Sequence, residues 1–210
     1  MFGLPMVVSS TIVVAFVLFG NLLTKSGGGN FFTDLSMAVM GRYRGGSAKI
    51  AVTASSLFGS ISGSAVSNVA STGIITIPLM KAGGFRASTA GAIEAVASTG
   101  GQLMPPVMGA AAFLMAEMLQ ISYSDIVMAA LPPAALYYLA LFIQADLLAA
   151  RSDIAKIDKS EIPRMRKVFS QGWQFLVPFA ILILALFQFN QRPENAALWA
   201  CSSLLVIGLF

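Results

Sequence analysis

The chain has 210 residues, of which 57% are hydrophobic and 10% are charged, and its mean hydropathy is +0.80. A soluble domain of this size exposes more charge than that, so the composition predicts an integral membrane protein. One cysteine excludes a disulfide framework, and the lack of histidine in the sequence excludes the HExxH zinc motif and a histidine general base. The 13 basic residues against 9 acidic ones bear on membrane topology, so no nucleic-acid partner is expected.

The first two segments predict one membrane span and one surface helix. Leu4–Thr24 carries no charge and reaches the roughly 20 residues that a span needs. Phe31–Arg44 is shorter and amphipathic, which is typical of a helix lying in the membrane interface. The last part of the chain predicts further spans separated by a charged loop. These are the spans Asp125–Ala149 and Val168–Phe189, the loop Arg151–Lys167 between them, and Ala196–Phe210, which begins another span.

Ile50–Met80 is rich in glycine, and the positive charges indicate how it meets the membrane. If it crossed once, Lys81 and Arg86 would lie on the side opposite to Arg42, and basic residues would occur on both faces. If it enters and turns back as a re-entrant helical hairpin, every basic residue except Arg192 lies on one face. The positive-inside rule therefore favours the hairpin, with the basic face cytoplasmic and the N-terminus periplasmic.

The stretch SLFGSISGSAVSNVASTG, from Ser56 to Gly73, places small polar residues inside this apolar chain, and its VASTG recurs at Val96–Gly100. Non-helical backbone at membrane depth is stable only where it is buried in protein or lines a polar cavity. The glycines would permit the dihedral angles of a turn, and the polar side chains offer oxygen to an ion or a solute. Alternatively, the small residues only let helices pack closely. The glycines are Gly59, Gly63 and Gly73, and the oxygen-bearing residues are Ser60, Ser62, Ser64, Ser67, Asn68, Ser71 and Thr72.

Ala87–Leu119 is too long for one straight span, since a single helix would measure about 50 Å against a hydrocarbon core of about 30 Å. The motif STGGQLMPP, Ser98–Pro106, predicts a break: two glycines release the helix and Pro106 begins the second half at its first turn. A hairpin tip and a broken helix that meet near the membrane midplane are typical of secondary transporters, where half-helix ends and unwound carbonyls bind cations and anionic solutes.

The stretch Gly59–Glu117, GSISGSAVSNVASTGIITIPLMKAGGFRASTAGAIEAVASTGGQLMPPVMGAAAFLMAE, resembles the large membrane subunit of a tripartite ATP-independent periplasmic (TRAP) transporter. It is most similar to the fused permeases that work with TAXI-type solute-binding proteins. The resemblance implies an elevator mechanism in the bacterial inner membrane and sodium-coupled uptake of an organic acid, such as a dicarboxylate-like anion. It also implies two partners, a periplasmic solute-binding protein and a small membrane subunit or its fused equivalent, and no cofactor besides the sodium ion.

In the family, the hairpin tip and the following broken helix hold a sodium site and one side of the substrate site. Carried over to matching positions, the resemblance implies two sets of residues. The sodium set is Ser60, Gly63, Ser64, Asn68, Thr99, Gly100 and Pro105. The substrate set is Ser62, Ser67 and Gln102.

Two acidic residues within apolar segments need separate interpretations. Glu94 is expected to be buried and hydrogen-bonded to hairpin serines, so that it orients the site residues without contacting the solute. The reason is that an ionised carboxylate beside the site would repel an anionic solute. The alternative is that Glu94 binds a coupling cation or a proton. Asp146 is expected near the cytoplasmic interface, solvated or paired with Arg151.

Three regions follow from these patterns: residues 1–49 with the first span and the surface helix, residues 50–125 with the transport site, and residues 126–210 with further spans and the basic loop 151–167. The family has a second, inverted half of which the sequence shows no copy, so the chain is expected to be a fragment holding one half of an inverted-repeat, elevator-type transporter. Alternative functions are an ion-channel or pore subunit with a re-entrant filter loop, or a non-transporting structural subunit. An enzyme is not expected, because a serine nucleophile needs a base and every lysine lies at the cytoplasmic edge.

Overall fold

The computed structural model describes residues 3–152, 154, 157, 162–189 and 191–208. This part of the chain is helical and contains no strand. The first helix continues from α1 into α2 through a π-helical segment at Ser9–Val13, and a second π-helical segment at Leu184–Gln188 follows α10. The α-helices are α1 (Gly3–Val8), α2 (Val14–Lys25), α3 (Gly28–Met40), α4 (Gly46–Ser62), α5 (Ala65–Ala82), α6 (Ala87–Gly100), α7 (Ala110–Leu119), α8 (Tyr123–Arg151), α9 (Met165–Gly172), α10 (Leu176–Ile183) and α11 (Pro193–Gly208).

Three helical stretches are long and apolar enough to cross a membrane, namely Met6–Lys25, Tyr123–Arg151 and Met165–Gln188. They correspond to the three complete spans predicted from the sequence, which confirms an all-α, multi-pass membrane protein. The last predicted span begins in α11 and is described as far as Gly208. Much of the predicted loop Arg151–Lys167 lies outside the described residues.

Helices α4 and α5 form a helical hairpin whose turn lies at Gly63 and Ser64. Gly63 has a φ of +59°, a left-handed conformation that glycine adopts without a steric penalty. Ser64 is the N-cap of α5, where its Oγ accepts a hydrogen bond from Ser67 N at 3.3 Å. Gly59 and Gly73 lie inside the helices instead, so the prediction that glycines supply turn dihedrals holds only for Gly63.

Helix α4 lies at the centre of the fold and contacts α2, α3, α5, α6 and α8. Glycine, alanine and serine make up most of its sequence, and most of its residues are buried. Small side chains let several helices approach one axis closely, which is how helices pack where lipid removes the hydrophobic driving force. The arm α4 of the hairpin is therefore buried among other helices, whereas the turn at Gly63 and Ser64 is half-buried.

Helices α6 and α7 are the two halves of the predicted broken helix, separated by residues 101–109. The prediction that Pro106 begins the second half is wrong, because α7 begins at Ala110. The intervening turn is closed by Gly109 N, which donates to Gln102 O at 2.8 Å. This hydrogen bond pairs one backbone N–H and one carbonyl that are outside both helices. The break therefore runs past the two prolines as far as Gly109.

One carboxylate ties the start of α4 to the end of α8. Asp146 accepts hydrogen bonds from Lys49 Nζ, at 2.6 Å, and from the Arg44 guanidinium. The predicted pairing with Arg151 is therefore wrong, whereas the carboxylate is partly solvated as the alternative had it, with a side chain that is 31% exposed. Residues five apart on a helix do not share a face, whereas the turn at Gly45, with a φ of +60°, brings the basic residues over α8.

Candidate functional site

The hairpin tip lies against the break between α6 and α7. Val107 N donates to Ser60 O at 3.1 Å and joins the last turn of α4 to the break. Gly59 and Gly101 approach so closely that a Cβ on Gly59 would lie 2.5 Å from Gly101 Cα. Two interrupted helices therefore meet backbone against backbone, in the region that carries the small polar residues.

The glycines of the break serve close packing. A Cβ on Gly100 would lie 2.7 Å from Tyr137 Cδ1, inside the normal contact distance. Gly100 is still helical and Gly101 has a φ of −58°, so neither glycine adopts a conformation reserved for glycine. The positive φ in the break belongs to Met108, at 62°. At these two positions the structure therefore supports the close-packing explanation that the sequence left open.

The three tip serines differ in how their hydroxyls are satisfied. Ser60 Oγ donates to Leu57 O at 2.8 Å within its own helix, and Ser64 caps α5. Ser62 Oγ, in contrast, is buried without a hydrogen-bond partner, and within the described ranges it is the one such side-chain atom. A buried hydroxyl without a partner lowers the stability of the fold by about 1–3 kcal/mol. A ligand bound at the tip would supply the missing hydrogen-bond partner.

Asn68 ties the two arms of the hairpin together. Its side chain is fully buried, its Nδ2 donates to Ser55 O at 2.8 Å, and its Oδ1 lies 3.2 Å from Thr72 Oγ1. Ser67, the preceding residue, is half-buried. The amide of Asn68 is thus engaged with α4 and with its own helix, which makes it part of the frame of the tip.

On the side of the break, the predicted residues are more exposed. The side chains of Thr99 and Gln102 are exposed, and Thr99 Oγ1 donates to Ala95 O at 2.8 Å within α6. Pro105 is half-buried, and Gly100 is buried against α8. The structure therefore brings Gly59 and Ser60 into contact with the backbone of the break, and leaves the side chains of Thr99 and Gln102 on the surface beside it.

Glu94 is fully buried at the junction of α4, α5 and α6 and accepts hydrogen bonds from four hydroxyls. Thr72 and Thr76 donate from α5, each at 2.6 Å, and Ser55 donates from α4 at 2.9 Å. Ser98 donates from one turn further along α6, at 3.3 Å. A carboxylate buried with this many donors is well satisfied, and it holds the hairpin arms against the first half of the broken helix.

The repeated motif contributes different residues from its two copies. In the first copy Thr72 faces Glu94, whereas in the second copy Ser98 does so. Ser71 and Thr99, the remaining hydroxyls, bond to backbone carbonyls of their own helices. Glu94 lies on α6, one turn before Ser98, and faces α5 across the helix contact, so the two copies of the motif present different positions to the same carboxylate.

Three tyrosines brace the break, and the sequence analysis did not identify them. Tyr137 Oη donates to Val96 O at 2.8 Å and Tyr138 Oη donates to Ala97 O at 3.0 Å, both from α8 to the last turn of α6. Tyr123 Oη donates to the carbonyls of Pro106, at 2.8 Å, and Val107. Carbonyls near a helix end and in a break need such partners. Only the fold shows which tyrosines supply them.

Comparison with known proteins identifies the family. The family model described as "Tripartite ATP-independent periplasmic transporter, DctM component" matches residues 1–210. The sialic acid TRAP transporter permease protein SiaT of Haemophilus influenzae is 26% identical over 196 residues, 93% of this chain and 31% of that protein.

Two further relatives carry related names. The 2,3-diketo-L-gulonate TRAP transporter large permease protein YiaN of Escherichia coli is 25% identical over 80% of this chain and 39% of its own length. The C4-dicarboxylate TRAP transporter large permease protein DctM of Pseudomonas aeruginosa is 30% identical over 75% of this chain and 35% of its own length. The chain therefore spans less than half the length of these relatives. Because the family model covers the whole chain, the chain belongs to the DctM family of TRAP transporter large permeases, a family of transporters and not of enzymes, and is a multi-pass inner-membrane protein.

Proposed function

We propose that the chain forms the half of a TRAP permease in which the hairpin tip and the broken helix take part in sodium-coupled uptake of an organic acid. The observation that carries this proposal is the contact between the two interruptions, where Val107 N bonds to Ser60 O. Interrupted helices that meet in a membrane protein supply helix ends and free backbone groups to ions and solutes. In this proposal the hairpin and α6 move together as part of an elevator, since Glu94 joins them.

The cation site in this proposal is built from neutral oxygens. Sodium is a hard cation and prefers oxygen ligands, which the tip provides as serine hydroxyls and backbone carbonyls. The proposed ligands and their supports are Ser60, Gly63, Ser64, Asn68, Thr99, Gly100 and Pro105. Of these, the tip serines and Asn68 have buried or half-buried side chains, whereas Thr99 would contribute through its backbone because its side chain is exposed.

The solute in this proposal is an organic acid. The names of three relatives refer to sialic acid, a diketogulonate and C4-dicarboxylates, all of them acids. Near the tip, α5 begins with its positive dipole end at Ser64, which favours an anion. Ser62, whose hydroxyl lacks a partner, is the proposed donor to a solute carboxylate, together with Ser67 and Gln102.

Uptake tests the function directly. A complete permease of the relatives' length that carries these 210 residues would be reconstituted with its small membrane subunit and a periplasmic solute-binding protein. We expect accumulation of one of the three labelled acids named by the relatives when a sodium gradient is imposed. Equal uptake with sodium and with potassium outside would contradict sodium coupling, and passive flux of inorganic ions without the binding protein would favour a channel.

Sodium binding at the tip is testable on the chain itself. The detergent-solubilised protein is expected to melt at a higher temperature in NaCl than in KCl, by on the order of 5 °C at saturating sodium, because a ligand that binds only the folded state stabilises it. Ser60→Ala removes one proposed ligand and should abolish the difference between the two salts.

Ser203→Ala is the matched control. Both serines are half-buried or buried, and each donates from its Oγ to the carbonyl three residues earlier at 2.8 Å, but Ser203 lies on α11. The control should keep the sodium-specific rise in melting temperature. If the unmodified chain melts at the same temperature in both salts, this half of the permease does not hold a sodium site by itself.

Cysteine labelling tests the re-entrant topology. In the proposal, Arg42 and Arg86 both face the cytoplasm, so cysteines at these exposed positions should label only after the membrane is permeabilised. A cysteine at Arg192 should label from outside in intact cells. The native Cys201 is buried, which keeps the background low. Labelling of the positions 42 and 86 from opposite sides would mean that the hairpin crosses the membrane.

A further inference from the structure

A pocket of about 490 Å³ opens between α3, α4 and α8, away from the hairpin tip. Its walls are apolar and are formed by Val39 and Met40 at the end of α3 and by Phe142, Ile143 and Leu147 on α8. Ile143 and Leu147 are more than half exposed. The pocket is therefore an open cleft with an apolar lining, a surface against which a hydrocarbon chain can pack.

The rim of this pocket is positively charged. Lys49 and Asp146 line it, and Arg44 bonds to the same carboxylate. Two cations, Arg44 and Lys49, therefore lie beside a single anion. Half of the Arg44 side chain is exposed, at 51%, and a guanidinium has five N–H donors, so it retains donors beyond those that Asp146 uses.

The rim lies near one end of a membrane-spanning helix. Helix α8 has 29 residues and would be about 43 Å long, which exceeds a hydrocarbon core of about 30 Å. Asp146 is in the last two turns of α8, and Arg44 and Lys49 flank the start of α4. Charged residues at helix ends mark the level of lipid headgroups, so the apolar walls lie at the level of the upper acyl chains.

We propose that this pocket binds one anionic phospholipid, with its phosphate at Arg44 and Lys49 and an acyl chain along Phe142, Ile143 and Leu147. Basic pockets between transmembrane helices bind anionic headgroups through charge complementarity. A zwitterionic lipid would gain the same apolar contact but would place its own cation near the excess positive charge. A free anion would leave the apolar walls uncovered. The site is separate from the sodium and solute sites and does not depend on their assignment.

Its position indicates what a bound lipid would do. The ion pairs at Asp146 connect the turn between α3 and α4 to α8, and the phosphate would add a second anion to the same set of cations. The bound lipid would therefore hold α3 against α4 and α8 from the membrane side. Its removal is expected to lower the melting temperature of the whole chain.

Native mass spectrometry of the delipidated chain tests this site with two probes, phosphatidylglycerol and phosphatidylcholine of identical acyl chains. We expect at least fivefold greater retention of phosphatidylglycerol. Arg44→Gln should remove most of this preference while Asp146 keeps Lys49 as its partner. Ile143→Ser alters the wall at an exposed position and should reduce retention of both lipids. The matched control is Arg86→Gln, which removes the same charge from an exposed residue outside the pocket.

Photoactivatable phosphatidylglycerol locates the lipid on the chain. Crosslinks are expected within residues 39–49 and 142–151. Any of three results would overturn the proposal. The two lipids could be retained equally, Arg86→Gln could lose the preference for phosphatidylglycerol as fully as Arg44→Gln, or the crosslinks could be confined to other segments. Glycerol phosphate at equal concentration should not raise the melting temperature as the lipid does. If it does, the rim binds a free anion and the lipid assignment is wrong.

Discussion

Replacing Gly101 by alanine is expected to lower the free energy of unfolding by on the order of 3 kcal/mol and to separate the hairpin from the break. A Cβ on Gly101 would lie 2.6 Å from Gly59 Cα and 3.1 Å from Asn68 Nδ2. The nearest atom belongs to the backbone of α4, which cannot rotate away as a flexible side chain would. Helix propensity offsets little of this cost, because the advantage of about 1 kcal/mol for alanine over glycine applies to a helix interior and Gly101 follows the last residue of α6.

Gly91→Ala is the control for this prediction. Gly91 lies in the middle of α6, and a Cβ at that position would meet no atom within 4 Å. Here propensity acts alone, so the substitution should leave the melting temperature unchanged or raise it. Melting curves of both variants in the same detergent decide the matter. A Gly101→Ala variant as stable as Gly91→Ala would show that the two interruptions are not in the contact described.

Replacing Glu94 by alanine is expected to destabilise the chain by a similar amount, on the order of 3 kcal/mol. The substitution removes the acceptor of four hydroxyl groups from three helices and leaves a cavity where the side chain is now fully buried. Thr72 and Thr76 keep backbone carbonyls of their own helix as alternative acceptors, so the cost is less than four lost hydrogen bonds. The loss should appear as a lower melting temperature and as faster proteolysis at the hairpin.

Two further variants distinguish the contribution of the Glu94 hydrogen bonds to stability from a general effect of removing a negative charge. Glu94→Gln keeps the volume and one acceptor oxygen, so it should lose about 1 kcal/mol or less. Glu117→Ala removes a carboxylate from an exposed position on α7 and should change stability by no more than about 0.5 kcal/mol. If Glu94→Ala melts like Glu117→Ala, the buried network does not hold the three helices together.

Part of the polar network was predictable from spacing alone. Asn68, Thr72 and Thr76 recur at intervals of four along α5, which places them on one face of a helix, and all three are buried. The expectation that Glu94 hydrogen-bonds to the hairpin relied on its being a carboxylate within an apolar segment. Which hydroxyls it meets, including Ser55 and Ser98, depends on how α4 and α6 are rotated about their axes, and no local pattern encodes that rotation.

The amino-acid sequence by itself determined the membrane class, the hairpin, the broken helix and the TRAP family, because hydropathy, glycine and proline spacing and local motifs are properties of neighbouring residues. The tertiary structure alone decided three features that involve residues far apart in the chain. The partners of Asp146 are Arg44 and Lys49, which lie about 100 positions away, and the glycines of the break are needed for contact with α4 and α8. Ser62 Oγ lacks a partner because the atoms packed around it include no hydrogen-bonding group within reach. Such features depend on the distances between helices, which are fixed only when side chains pack.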